Sequence, residues 1–310
     1  MEMPRQSVLT SERRAIDRLG ISVLCMGDVD FPQPLVAVPD PPIALFVRGC
    51  LSALLMPLSV AVVGSRRGST SGREFARALS ADLGRAGIVV VSGLALGIDG
   101  SAHRGALDAG AVTVAVMGGG HIDIYPPSHK GLAFEIAEAS GAVVSEYPPS
   151  SAPMRGNFPE RNRIISGLTA GVVVVEAAAR SGTLITARLA LEQGREVMAV
   201  PGPVFDGKHG GCHKLIKQGA ALVEGASDVL EVFGLESSAP SEPDVPSDPK
   251  LSRVLTAVPY TVAPLQDIVA SLAMPVHEVL GSLVELEIEG FVEMYRGGYI
   301  RRPRTNRDRR

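Results

Sequence analysis

The sequence predicts an α/β protein: a doubly wound, mostly parallel sheet followed by a smaller C-terminal winged-helix-like domain. Three observations carry this. Short β-branched runs recur from residue 59 to residue 200, and amphipathic stretches of helical length alternate with them. A Pro/Ser/acidic segment then separates this alternation from three helices and a Gly-Gly hairpin.

The runs are SVAVVG (59–64), IVVVS (88–92), VTVAVM (112–117), VVSE (143–146), GVVVVE (171–176) and EVMAV (196–200). They are continuously apolar, as strands covered on both faces must be. Helices are predicted near 70–86, 99–109, 129–140, 159–168 and 182–193, and a last α/β step over 213–234 closes a domain spanning 59–234. Residues 235–250 hold four prolines among Ser, Glu and Asp, a composition that cannot pack a core, and read as a linker. Residues 251–303 carry the winged-helix-like pattern, and 304–310 form a basic tail. The last 16 residues contain seven Arg and one Asp, either a solvated tail or an anion contact. The first 58 residues show no comparable pattern, and no internal repeat is present.

Composition narrows the function. A chain of 310 residues with 45% hydrophobic content buries a substantial core, while a net charge of −3 argues against coating duplex DNA by bulk electrostatics. Aromatic residues make up only 4%, with no Trp, so any ring in a candidate site carries extra weight. Cys25, Cys50 and Cys212 are far apart and lack metal-ligand or CxxC spacing; a reducing compartment is expected, with no metal and no cofactor. The charged N-terminus does not read as a signal peptide, and no apolar run reaches the ~18–20 residues that span a bilayer. A cytoplasmic protein without membrane contact is predicted.

Each predicted strand ends in a turn suited to anions. Gly64, Ser65 and Arg66 follow the first strand and precede a helix whose N-terminal amides favour negative charge. The dinucleotide fingerprint GxGxxG is absent, because Ser65 and Arg66 stand where its second glycine belongs. After the second strand, Gly93 and Gly97 allow a tight turn and Asp99 is a plausible N-cap. His103 and Arg104 lie on the next helical turn, and His103 is expected to pack rather than to catalyse. Gly118–Gly120 open the third strand's end, with Tyr125, His129 and Lys130 nearby.

The segment RGNFPERNRIISGL (155–168) is the most distinctive. Arg155, Arg161, Arg163, Asn157 and Asn162 surround Phe158, a composition suited to a phosphate track with a base stacked on the ring. Alternatively, Phe158 is core and one Arg pairs with an acid such as Glu160. Ser181, Gly182 and Thr183 open another helix and form a second anion seat, which an ordinary N-cap would also explain. Beyond the sixth strand, Lys208, His209, His213, Lys214 and Lys217 cluster among glycines as a basic loop. Because every one of these turns follows a strand, they converge on one sheet edge and make a groove with several phosphate seats.

In order along the chain, VAVVGSRRGST, VVSGLALGIDGSAHRGAL, GGGHIDIYPPSH, GNFPERNRIISGL, VVVVEAAARSGTLITARLALEQGREVMAVPG and GCHKLIKQGA resemble the successive signatures of the DNA-processing protein A (DprA/Smf) family, over roughly residues 30–233. The resemblance implies a Rossmann-like homodimer that binds single-stranded DNA, recruits RecA recombinase and helps load it during transformation or recombination, without being an enzyme. It assigns Arg66, Phe158, Arg161, Asn162 and Arg163 to positions around bound phosphate and base. His129 and His213 stand where many relatives have Asn, and the family's N-terminal helical domain is mostly missing from residues 1–58.

A rival reading makes the chain a nucleotide-processing Rossmann-like enzyme, with Glu176 and Asp99 as acid or base; against it, residues 176–183 read EAAARSGT rather than the phosphoribohydrolase signature PGGxGTxxE. A second rival makes the C-terminal module a reader of duplex DNA. Its helix over 276–289 carries Glu278, Glu285, Glu287 and Glu289 and no Lys or Arg, a poor surface for a major groove, so protein contact is expected there.

Overall fold

In the computed structural model, residues 6–235, 246, 248–259, 262–295 and 297–301 are described. The chain divides into two compact units, Met1–Glu236 and Ser237–Arg310. Most of the expected linker and the whole 304–310 tail lie outside the described residues.

The larger unit begins with helix α1 (Gln6–Leu19), strand β1 (Ile21–Cys25), the short helix α2 (Gln33–Val36) and β2 (Ala44–Gly49). The alternation then runs β3 (Ser59–Gly64), α3 (Thr70–Arg85), β4 (Val89–Ser92), α4 (Ile98–Asp108), β5 (Thr113–Val116), α5 (Lys130–Glu138) and β6 (Ala142–Ser145). It continues with α6 (Asn157–Gly167), β7 (Gly171–Glu176), α7 (Thr183–Glu192), β8 (Glu196–Ala199), α8 (Gly210–Lys217), β9 (Ala221–Leu222) and α9 (Ala226–Val232). These form one nine-stranded sheet in the order β1-β2-β6-β5-β4-β3-β7-β8-β9. From β6 to β9 all neighbours are parallel; β2 joins β6, and β1 joins β2, antiparallel.

Both faces of the parallel sheet are covered, which explains the unbroken apolar runs. In β3, Ala61 and Val63 face a core layer shared with Ile164 and Ile165 of α6, Ala187 of α7 and Leu215 of α8. Val60 and Val62 face the opposite layer, shared with Leu79 and Leu83 of α3, Ala102 of α4 and Val229 of α9. Each strand residue therefore loses its water on one side or the other, and every buried Val or Ile side chain contributes about 1.5–3 kcal/mol.

The order reverses at β3. The chain moves outward from β3 through β4, β5 and β6, then returns through α6 to place β7 on the other side of β3. Open α/β sheets bind ligands at the carboxyl ends of the strands flanking such a switch point. Here β3 and β7 also slip register between Val63 and Gly64, and Ser65 N donates to Glu176 O at 2.8 Å. That irregularity turns the residues after Gly64 out of the ladder at the switch point.

The smaller unit contains α10 (Pro249–Ala257), β10 (Ala263–Pro264), α11 (Leu265–Leu272), α12 (Val276–Ile288), β11 (Val292–Tyr295) and β12 (Gly298–Arg301). Its sheet is ordered β10-β12-β11, and Leu251, Leu255, Ile268, Leu283 and Phe291 fill its core. Three helices with a hairpin wing are the winged-helix arrangement. Among the described residues no single helix is long and apolar enough to cross a membrane.

Candidate nucleic-acid interface

A cavity of about 820 Å³ opens at the switch point. It is lined by Val63–Arg66 at the end of β3 and by Ser181–Thr183, Ile185 and Thr186 at the start of α7. Phe158, Pro159, Asn162 and Ile165 of α6 close one side, and Tyr125, Pro153 and Arg155 stand at loops around it. Gly64, Ser65, Arg66, Arg155, Phe158, Asn162, Ser181, Gly182 and Thr183, all singled out in the sequence, thus meet in one place.

The rings and cations are arranged together. The Arg66 guanidinium carbon lies 5.2 Å from the centroid of the Phe158 ring, within cation–π range. Tyr125, half exposed, places its ring centroid 5.6 Å from that of Phe158, tilted by 54°. Neither Arg66 nor Arg155 forms a salt bridge among the described residues, and both are exposed. An uncompensated guanidinium beside an aromatic face, with a second lining the same cavity, is suited to a phosphate and an adjoining base.

The two predicted helix-terminal anion seats differ. At α3 the seat is already filled from within: Ser69 caps the helix by accepting from Gly72 N at 3.0 Å, and the buried Glu176 carboxylate accepts from Ser69 N at 2.7 Å. The macrodipole of α3 therefore holds a protein carboxylate, and the seat after β3 consists of the Gly64–Arg66 turn itself. At α7 no acidic residue lies in the first turn; Ser181 Oγ accepts from Thr183 N at 3.2 Å and the turn lines the cavity. This second seat remains open to an external anion.

Four basic or polar residues expected at the site are placed elsewhere. Arg161 is 4% exposed and donates to Gly93 O at 2.7 Å and to Val116 O, with Asp99 beside it. Burial lowers its guanidinium to about 10 against the opposing pull of Asp99, and burial raises the Asp99 carboxyl while Arg161 holds it down. Arg163 forms a two-pronged ion pair with Glu146, the Nη2–Oε1 contact being 2.9 Å, and reaches Asp40 at 3.2 Å. The reason is helical phase. Residues 157–167 form α6, so Arg161 and Arg163 lie about 200° apart around the axis, one against the sheet and the other on the far flank. Phe158, Asn162 and Ile165, spaced by four and three, share the face toward the cavity. Asn157 begins α6 without lining the cavity, and Lys214 is exposed on α8, also away from it.

Gly93 and Gly97 shape the site without offering a polar side chain. A Cβ on Gly93 would lie 2.7 Å from Asp99 Oδ2 and 2.8 Å from Arg161 Nη2. Gly97, rather than Asp99, caps α4, with φ of +80°, and a Cβ there would lie 2.3 Å from Ser65 O. The turn after β4 thus presses directly against the Ser65–Arg66 turn.

His103 is fully buried on α4 with Nδ1 2.8 Å from Thr113 Oγ1, and Arg104 pairs with Glu135 on the outside of that helix. His129 and His213 bind main-chain carbonyls, of Leu94 and Gly202 respectively, which are packing roles. Glu176, Asp206 and His209 form a cluster with the donor types of a metal site, unrecognised in the sequence because it contains no cysteine and spans 34 positions. Ala95, Pro153 and Ile165 line the cavity too; as common apolar residues they carried no motif signal.

The family model for DNA recombination-mediator protein A matches residues 22–234, and that for the DprA winged helix domain matches residues 238–298. Over 291 residues the chain is 45% identical to Protein Smf of Escherichia coli, covering 90% of this chain and 77% of that one. It is 46% identical over 203 residues to DNA processing protein DprA of Streptococcus pneumoniae, covering 66% and 71%. The X-ray structure of the S. pneumoniae protein superposes with a TM-score of 0.67 at 41% identity, covering 74% of this chain and 78% of that one. DNA processing protein A from Helicobacter pylori, whose structure concerns a single-stranded DNA binding mode, superposes with a TM-score of 0.62 at 28% identity, covering 69% and 95%. With its sheet, its winged-helix domain and most of its length matched, the chain belongs to the DNA recombination-mediator protein A (DprA/Smf) family.

Proposed function

We propose that this protein binds single-stranded DNA across the cavity at the β3/β7 switch point and passes that DNA to RecA recombinase. The observation that carries the reading is the grouping of Arg66, Arg155, Phe158 and Tyr125 with the open N-terminus of α7 on one edge. Two anion seats and two rings lining one cavity suit a run of phosphates and bases. A dinucleotide enzyme would use a single glycine-rich fingerprint, which is absent. The acids an enzyme would need are already engaged at one oxygen each: Glu176 Oε2 accepts from Ser69 N and Asp99 Oδ2 from Gly93 N.

The test is a titration of fluorescent oligothymidylate, the same length of duplex, and thymidine monophosphate over a range of salt concentrations. Tight binding of the single strand alone, with log K falling linearly against log salt, is expected. Equal affinity for the mononucleotide would overturn the reading. Transfer to recombinase is tested by RecA ATP hydrolysis on strands already coated with single-strand-binding protein, which this protein should accelerate. The homodimer that the family resemblance implies through the Rossmann-like domain is checked by light scattering.

A further inference from the structure

Glu176 ends β7 and is completely buried. Its Oε2 accepts from Ser69 N at 2.7 Å, but its Oε1 is enclosed and has no hydrogen-bond partner. A buried carboxylate oxygen with nothing donating to it is destabilising unless a proton or a cation lies against it. The loop after β8 brings two further groups to the same place. His209, 7% exposed, lies with Nδ1 3.0 Å from Asp206 Oδ2, and one ligand atom from each of Glu176, Asp206 and His209 lies within 4.8 Å of the other two.

We propose that Glu176, Asp206 and His209 bind one divalent transition-metal ion, of the Zn²⁺ type, which ties the loop of residues 201–209 to the end of β7. Two carboxylate oxygens and one imidazole nitrogen are a donor set that such ions accept, with bonds of about 2.0–2.2 Å. In tetrahedral geometry ligands at those bond lengths stand about 3.3–3.6 Å apart, so the 3.0 Å between His209 Nδ1 and Asp206 Oδ2 opens by only about half an ångström. Glu176 supplies the third ligand through Oε1, because Oε2 is committed to α3. The ion would offset the buried charge and fix a loop that is rich in glycine and leaves Val204 and Phe205 exposed. Cys212 is excluded from the set because its thiol turns to Val174 O. Cysteine spacing alone implies no metal; this set draws on other residues and does not depend on the DNA reading.

The experiment uses the full chain carrying Cys25→Ser and Cys50→Ser, so that accessible thiols do not take up metal, stripped with a chelator and titrated calorimetrically with ZnCl₂. One equivalent per chain is expected, with a higher melting temperature in Zn²⁺ and visible d–d absorption when Co²⁺ is substituted. Asp206→Asn and His209→Ala should each weaken binding at least tenfold, measured on variants that melt cooperatively without metal. His213→Ala, whose ring stacks beside His209 at 6.3 Å, should leave it unchanged. Absence of saturable binding, or binding undiminished in Asp206→Asn and His209→Ala, would overturn the proposal.

Discussion

The guanidinium of Arg66 faces the ring of Phe158 at 5.2 Å, joining the first turn after β3 to the first turn of α6. One element supplies a fixed positive charge and the other a π-face, and neither alone would hold a nucleotide. Replacing Arg66 by Ala should weaken binding of single-stranded DNA and reduce the salt slope by about 1, the loss of one phosphate contact. Phe158→Ala should cost about 1–3 kcal/mol of binding with the slope retained, as expected for a lost base stack. Fluorescence anisotropy at several salt concentrations separates the two effects. A Phe158 that only packs would instead lower the melting temperature and leave the affinity of the folded protein intact.

Arg163 is expected to behave differently from Arg66. Its charge is matched by Glu146 and Asp40, and its side chain is only 12% exposed. Arg163→Ala should therefore reduce stability by about 1.5–3 kcal/mol, the usual contribution of hydrogen bonds to charged groups, while the folded variant keeps its DNA affinity and salt slope. Arg161→Met removes the cation beside the buried Asp99 and should cost more, about 3–5 kcal/mol. Urea denaturation measures both; an unaltered midpoint for Arg161→Met would show that the backbone donors to Asp99, Gly93 N among them, suffice without the cation.

These contrasts show where the sequence was readable. Strands β3 to β8 were legible to within a residue or two because each is a short, mostly apolar run between turn residues. β1 and β2 were not: their burial alternates, and β2 pairs with β6, about a hundred positions away, a contact no local pattern encodes. In the site, Gly64–Arg66 and Ser181–Thr183 were legible because a turn after a parallel strand must lie at the carboxyl edge. The arginines of α6 were not, since a cluster in sequence becomes a spread of directions once the segment is helical. The α3 seat looked open because nothing in the motif reveals that Glu176, over a hundred positions away, reaches it.

Gly97 provides a test of how the site is held. Its positive φ disfavours any other residue, and the missing Cβ admits Ser65 O. Gly97→Ala should lower stability by at least about 1 kcal/mol and also weaken DNA binding, because the strain is relieved by moving the turn that carries Arg66. Gly87→Ala is the control: φ is likewise positive at +79°, but a Cβ would meet nothing within 4 Å, so stability falls while DNA affinity is unaffected. The comparison requires thermal melts and anisotropy on both variants.

Acid should unfold the larger unit through its buried histidines. Thr113 Oγ1 donates to Val90 O at 2.7 Å and so accepts from His103 Nδ1, leaving His103 Nε2 bare and without a partner. Burial, reinforced by His129 and Arg161, pushes His103 from the ordinary 6.5 to about 3, and burial pushes His121 to about 4. Between pH 6.5 and these lowered values the unfolded chain binds more protons than the folded one, so stability rises with pH across that window and is lost as pH falls. At pH 5 each histidine costs about 2 kcal/mol relative to pH 7. His103→Gln should be less stable at pH 7, because its packing is imperfect, yet lose about 2 kcal/mol less than the parent on going to pH 5. Denaturant titrations at the two pH values give the difference directly; parallel losses in parent and variant would mean that His103 titrates alike in the folded and unfolded chain.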